Sequence, residues 1–236
     1  MQELRKLGQS IWLDYIRRNL ITSGELKRLV DEGLGGVTSN PAIFEKAITG
    51  SDDYADILSA AEKNADATTL YERLAIRDIQ DAADVLRPVF DRTNGRDGYV
   101  SLEVSPFLAN ETKATIEEAR RLWKTVNRPN LMVKIPGTHA GIPAIEQAIS
   151  EGINVNVTLL FAQEMYEAVA LAFVAGLEKA KDPSKIASVA SFFVSRIDSL
   201  IDSRIDQKLK TASPEEKKLL ESLHGKVAIA NAKLAY

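Results

Sequence analysis

Apolar residues recur along the chain at two spacings that take turns: every second position in short runs, and every third or fourth position in the longer runs between them. The short runs are "SIWLD" from Ser10, "GGVTSN" from Gly35, "GYVSLEVSP" from Gly98, "NLMVKIP" from Asn130, "INVNVTLLF" from Ile153 and "IASVASFF" from Ile186. Alternation is the spacing of a strand, so these six runs are predicted as strands. Most are followed by helical spacing, as in "AGIPAIEQAISEG" and "AQEMYEAVALAFVAGLEKA". The gap between the second and third strands is longer, and "SDDYADILSAAEKN" and "TTLYERLAIRDIQDAADVLRPVF" put a helical insertion at about residues 50–92. No low-complexity linker or internal repeat divides the chain, so residues 1–236 read as one domain. Repeated βα units favour a parallel sheet covered by helices, either open and doubly wound or closed as a (β/α)8 barrel.

The strands themselves separate these two architectures. Strands of an open sheet, covered by helices on both sides, are nearly continuous in apolar residues. Here Ile153, Val155 and Val157 share one face while Asn154, Asn156 and Thr158 share the other, and Val100, Leu102 and Val104 oppose Ser101, Glu103 and Ser105. Polar groups recur near the C-terminal ends of successive strands: Asp14, Asn40, Glu103, Lys134 and Ser191. In a barrel the apolar faces pack on the outer helices and the inner strand ends open into the catalytic face. The fold expected is therefore a (β/α)8 TIM-type barrel with about six of its eight βα units present. The last segment, "SPEEKKLLESLHGKVAIANAKLAY", has a helical pattern with no glycine or proline stop at its end.

Composition removes several function classes. Thirty basic and thirty-three acidic side chains give a formal net charge of −3 with no long block of one sign, which argues against a nucleic-acid partner. There is no cysteine, and two histidines without spaced thiol or carboxylate companions do not make a metal site. The longest apolar run, "AVALAFVAGL", is about half a membrane span, and the charged N-terminus lacks the apolar core of a signal peptide. A cytoplasmic protein with no membrane partner is expected. "GLGGVTSN" lacks the spacing of a dinucleotide fingerprint and no phosphate-binding P-loop motif occurs, so no cofactor is expected.

Lys134 lies within "NLMVKIP", surrounded by residues that normally go inside. On an edge strand it would simply point at water. Pointing into a barrel, it meets surroundings that disfavour the charged form of an amine, and a neutral amine can attack a ketone carbonyl to form a Schiff base. Such chemistry needs acid/base groups, and Asp14 and Glu103 are available, although most carboxylates are merely solvated. Asn40 before Pro41 also suits a plain helix start, Asn154 and Asn156 could be core amides satisfied by each other, and Ser191 could be a small filler. Together they make a neutral hydrogen-bonding lining suited to a polyhydroxylated substrate. Arg196 is placed to receive a phosphate or to pair with Asp198 or Asp202.

In order, "GVTSNPAIFEKAI", "SLEVSP", "VKIPGT", "NVNVTLLF" and "SFFVSRID" resemble the strand signatures of the transaldolases, and "QSIWLDYIRR" is similar to the opening of their longer bacterial forms. The resemblance covers essentially the whole chain. It implies transfer of a dihydroxyacetone unit between sugar phosphates of the pentose phosphate pathway, such as sedoheptulose 7-phosphate and fructose 6-phosphate. By that resemblance Lys134 forms the Schiff base, Asp14 is the acid/base of carbon–carbon cleavage, and Glu103 with Thr158 handles the catalytic water. Asn40, Asn156 and Ser191 would hold the dihydroxyacetone unit, Phe193 would line the site and Arg196 would bind phosphate. A related branch releases free dihydroxyacetone as an aldolase, and a third alternative is a non-catalytic fragment. The family carries a second phosphate-binding arginine on a seventh strand, which is not among the six strands found. Open barrel edges at the first and sixth strands imply self-association.

Overall fold

Six strands pair in the order in which the chain makes them, and every neighbouring pair is parallel. The computed structural model describes residues 1–60 and 66–236, so the stretch of the predicted helical insertion at 61–65 lies outside the described residues. After α1 (Gln2–Lys6) come β1 (Trp12–Leu13), α2 (Arg18–Thr22), α3 (Glu25–Asp31), β2 (Gly36–Thr38), α4 (Pro41–Thr49), α5 (Ala55–Ala60) and α6 (Ala67–Arg92). Then follow β3 (Tyr99–Glu103), α7 (Thr112–Val126), β4 (Leu131–Pro136), α8 (Gly141–Ser150), β5 (Val155–Leu160), α9 (Gln163–Lys179) and β6 (Ser188–Phe192). Helices α10 (Ser195–Leu209), α11 (Pro214–Leu223) and α12 (Val227–Ala235) end the chain. A doubly wound sheet reverses its strand order at a switch point, and this sheet does not. It curls as a half-barrel with helices around it, six parallel strands of the barrel type.

Alternation along the strands sets the two faces. Val100, Leu102, Val104, Leu131, Val133, Ile135, Val155 and Val157 join one buried cluster with α6, α7 and α8, including Ile79, Leu86, Leu122 and Ile145. The residues between them, Ser101, Glu103, Met132, Lys134, Asn154, Asn156 and Thr158, fall on the concave face. A one-residue slip would exchange the two sets, so burial of the apolar set fixes the register that aligns the polar one.

Two buried asparagines pin the strand starts. Asn130, just before β4, donates from Nδ2 to the carbonyls of Ala83 (2.9 Å) and Gly98 (2.8 Å), tying α6 and the start of β3 to β4. Asn154, just before β5, donates to the carbonyls of Pro129 (3.0 Å) and Leu131 (3.1 Å) and accepts from the Ala187 amide at 2.9 Å. It is thus a structural clip across three strands and does not bond to Asn156. At the first pair, Gly36 lets Trp12 lie against the backbone, since a Cβ there would sit 2.5 Å from the indole. Trp12 Nε1 donates to Asp97 (3.0 Å), which also accepts from Ser10 (2.7 Å).

The structure departs from the sequence pattern in three places. β1 is two residues long where five were expected. The run "NVTLLF" is not a plain strand: pairing with β6 jumps from Val157 to Leu160, and Leu159 takes a left-handed φ of 60°. The C-terminal helical pattern breaks at Gly225, φ 70°, giving α11 and α12. Asn154→Leu would leave two carbonyls and one amide of the clip without their partner, so it should lower stability by about 3 kcal/mol, read as a lower urea midpoint with an unchanged slope.

Candidate active site

The predicted site residues lie on the strands or just beyond their C-terminal ends, with Asn156 the second residue of β5. Asp14 follows β1, Asn40 follows β2, Glu103 ends β3, Lys134, Thr158 and Ser191 lie late in β4, β5 and β6, and Phe193 and Arg196 follow β6. Register brings three of them side by side, because Glu103 pairs with Lys134 and Lys134 with Asn156. β4 is a central strand, so the edge-strand alternative for Lys134 falls.

Lys134 is 6% exposed. Its Nζ donates to the Ser39 carbonyl at 3.0 Å and lies 3.4 Å from Glu103 Oε2. Glu103 is raised above the ordinary glutamate range, chiefly because burial penalises its charged form; the nearby Lys134 and Arg196 cations oppose the shift and Asp14 adds to it. Burial wins over the cations. Four residues from four different strand ends therefore share one electrostatic field: Asp14, Glu103, Lys134 and Arg196.

Beside the pair runs a neutral chain. Asn156 donates from Nδ2 to Ser101 Oγ (3.0 Å) and accepts on Oδ1 from Ser191 Oγ (2.8 Å), which fixes the orientation of the amide between β3 and β6. Thr158, 3% exposed, lies two residues further along the same face. Asn40 caps α4, its Oδ1 accepting the Ile43 amide at 2.9 Å, and Pro41 occupies the first helical position, where no N–H is needed. The cap consumes the oxygen and leaves the Asn40 amide NH2 for another acceptor. Asp14 is exposed, and its Oδ1 accepts from Thr38 Oγ1 at 2.6 Å.

Arg196, in the first turn of α10, carries no ion pair among the described residues; Asp202 pairs instead with His224. Its guanidinium lies 4.4 Å from the centroid of Phe193, which stacks on Phe161 at 4.9 Å with the rings 10° apart. A cation supported on an aromatic face and otherwise unpaired is well suited to an oxyanion. Tyr71 and Glu103 both line a cavity of about 360 Å³ between the end of β3 and helices α4 and α6. Burial, with Glu103 and Glu72 adding, pushes the Tyr71 phenol up to about 12, so it stays a donor at neutral pH.

Sequence reasoning missed the residues that hold the site in place. Ser39 acts through its backbone, which no side-chain pattern reveals. Thr38 and Ser101 were detectable, each lying two positions before a site residue on the same strand face, Asn40 and Glu103 respectively. Phe161 was not: it lies two residues beyond the irregularity at Leu159, and its stacking partner Phe193 is distant in the chain. Among the described residues no group of three or more acidic, histidine or cysteine side chains could hold a metal ion.

A buried amine paired with a carboxylate and lined by neutral amides and hydroxyls, at the C-terminal end of a parallel sheet, has the arrangement of a carbonyl-handling α/β protein. Comparison with known proteins narrows that class: the family model described as "Transaldolase/Fructose-6-phosphate aldolase" matches residues 11–236. A protein named transaldolase from Trichodesmium erythraeum is 54% identical over 241 residues, covering 99% of this chain and 63% of the relative. Proteins named transaldolase 2 from Nostoc punctiforme and Streptomyces avermitilis are 55% and 50% identical, covering 99% and 100% of this chain and 64% and 63% of theirs. The chain belongs to the transaldolase/fructose-6-phosphate aldolase family, and it spans less than two thirds of the length of these curated relatives.

The position of Glu103 between charges of both signs gives a measurable signature. In a ¹³C NMR titration its carboxyl should titrate above the exposed glutamates of the same chain. Asp14→Asn removes a repelling charge and should bring the midpoint down, whereas Lys134→Met removes an attracting one and should push it up.

Proposed function

We propose that this chain carries the catalytic centre of a transaldolase, which moves a dihydroxyacetone unit from a ketose phosphate to an aldose phosphate through a Schiff base on Lys134. The observation that supports this most directly is the Lys134–Glu103 pair, buried at the centre of the sheet with 3.4 Å between Nζ and Oε2. Passing one proton from Nζ to Glu103 leaves a neutral amine, and the raised proton affinity of Glu103 favours that exchange. The amine adds to the C2 carbonyl, water leaves and an iminium forms. Asp14 then takes the proton from the C4 hydroxyl, the C3–C4 bond breaks, its electrons flow into the iminium, and the aldose phosphate departs. The remaining enamine adds to an acceptor aldehyde, Asp14 returns its proton, and a water positioned by Glu103 and Thr158 hydrolyses the imine.

The neutral lining serves binding. Asn40, Asn156 and Ser191 hold the hydroxyls of the dihydroxyacetone unit, Phe193 walls the site, and Arg196 takes the distal phosphate, in keeping with a guanidinium that has no ion pair among the described residues. Sedoheptulose 7-phosphate and fructose 6-phosphate are the donors we assign. We place the reaction in the cytoplasm, where phosphorylated sugars are retained by their charge; no helix among the described residues is long and apolar enough to cross a membrane.

Incubation with fructose 6-phosphate and borohydride should add a reduced adduct to Lys134, detected by peptide mass spectrometry. The adduct should vanish in Lys134→Met, and labelling that persists there would refute the nucleophile. Glu103→Gln should slow adduct formation by about 10²–10⁴-fold with little change in substrate affinity. Product analysis with and without an aldose phosphate acceptor separates transfer from aldolase release of free dihydroxyacetone.

Among the described residues β1 and β6 each have a single strand neighbour, so each is an edge of the sheet with backbone groups open to pairing on one side. The 236-residue chain alone is therefore expected to self-associate through these edges. Size-exclusion chromatography with light scattering checks this: a sharp monomer peak over a hundredfold concentration range would refute it.

A further inference from the structure

Asp14 has weak support from the sheet. Its strand is two residues long and its side chain is exposed, yet a base for carbon–carbon cleavage must hold its position to within a fraction of an ångström. Thr38 fixes one carboxylate oxygen, but the backbone that carries Asp14 is held from elsewhere.

Two arms reach it from the helical insertion. In the outer arm, Asp53 accepts from Arg17 Nε (2.5 Å) and Nη2 (3.0 Å), and its Oδ2 also accepts the Asn19 amide at 3.0 Å. In the inner arm, Asp78 is 1% exposed; its Oδ1 accepts from Arg18 Nε (2.9 Å) and Nη2 (2.8 Å). Tyr54, fully buried, donates its hydroxyl to Asp78 Oδ2 at 2.6 Å and accepts the Arg18 amide at 3.2 Å, while the Arg18 guanidinium lies 4.5 Å over the Tyr54 ring. Just before the two arginines Ile16, fully buried, anchors the loop in the core. Two backbone amides and two guanidinium groups, three to five residues after Asp14, are thus held by three side chains that lie between β2 and β3 in the chain.

We propose that Tyr54 and Asp78, with Asp53 through Arg17, are positioning residues that hold Asp14 in register with Lys134 for the carbon–carbon step. The inference rests on the proposed role of Asp14. The network is built to be rigid: burial keeps the Tyr54 phenol protonated, so that it donates to Asp78 while accepting from Arg18, and each carboxylate oxygen of Asp78 has a donor. Tyr54 and Asp78 are 0% and 1% exposed, and both Asp53 carboxylate oxygens accept from Arg17.

The test is a partition that a general loss of stability does not move. Borohydride traps two adducts from fructose 6-phosphate on Lys134: a six-carbon one before C3–C4 cleavage and a three-carbon one after it. Their ratio by mass spectrometry reads the cleavage step, and their sum reads Schiff-base formation. Asp14→Asn should raise the six-carbon share strongly. Tyr54→Phe should raise the ratio about tenfold, and the milder Arg17→Gln, at a half-exposed side chain, about threefold, with the sum kept within about twofold. A purely architectural role would lower both adducts together and leave the ratio unchanged. If Asp14→Asn shifts the ratio and neither Tyr54→Phe nor Arg17→Gln does, the function stands and the clamp is refuted. An unshifted Asp14→Asn overturns the role of Asp14 and the inference with it, and no adduct on the unsubstituted chain overturns the function itself.

Discussion

An ammonium group brought out of water into a sheet must find oxygens within reach or lose its charge, and Lys134 finds two. One is the Ser39 carbonyl from the loop after β2, the other the Glu103 carboxylate from β3. Removing either partner from a buried charge costs far more than the pair itself contributes. Three consecutive elements of the sheet are therefore committed to one another through a single nitrogen. The same contact explains why the rest of the concave face is neutral. Ser101, Asn156 and Ser191 form a chain with donors matched to acceptors, so it adds orientation without adding a further charge to a place that already carries one pair.

The charges that remain are spread around this centre with opposing effects. Lys134 and Arg196 draw Glu103 toward ionisation; burial and Asp14 oppose them, and the opposition prevails. Glu103 is thus easier to protonate than an exposed glutamate. Arg196 acts on Glu103 through space while its guanidinium rests on Phe193, which stacks on Phe161.

Much of this was legible in the chain itself, for one reason: a strand with a buried face writes its register as alternation. The pattern in "VSLEVS" and "INVNVT" located Glu103 and Asn156 on the same face as Lys134, and the six strands occur where the pattern puts them. The parts that stayed hidden depend on contacts between distant segments. β1 is far shorter than its apolar run, and its position is fixed by bonds from Ser10 and Trp12 to Asp97, a residue 85 positions beyond Trp12. The bulge at Leu159 places a branched side chain in left-handed backbone, which no local preference favours. Nor did the sequence show that the helical insertion reaches back to the first loop, since arginines next to aspartates are common on any surface.

The order of the strands bears on how the chain is made. Each strand pairs with the one synthesised just before it, so the growing sheet never waits for a distant partner, and an emerging polypeptide can add one strand and one covering helix at a time. The longest pause falls between β2 and β3, while α4, α5 and α6 are produced. That interval also delivers Asp53, Tyr54 and Asp78. The loop after β1 can therefore be locked before β4 brings Lys134, so that Asp14, fixed early, is a reference point against which the later strands assemble.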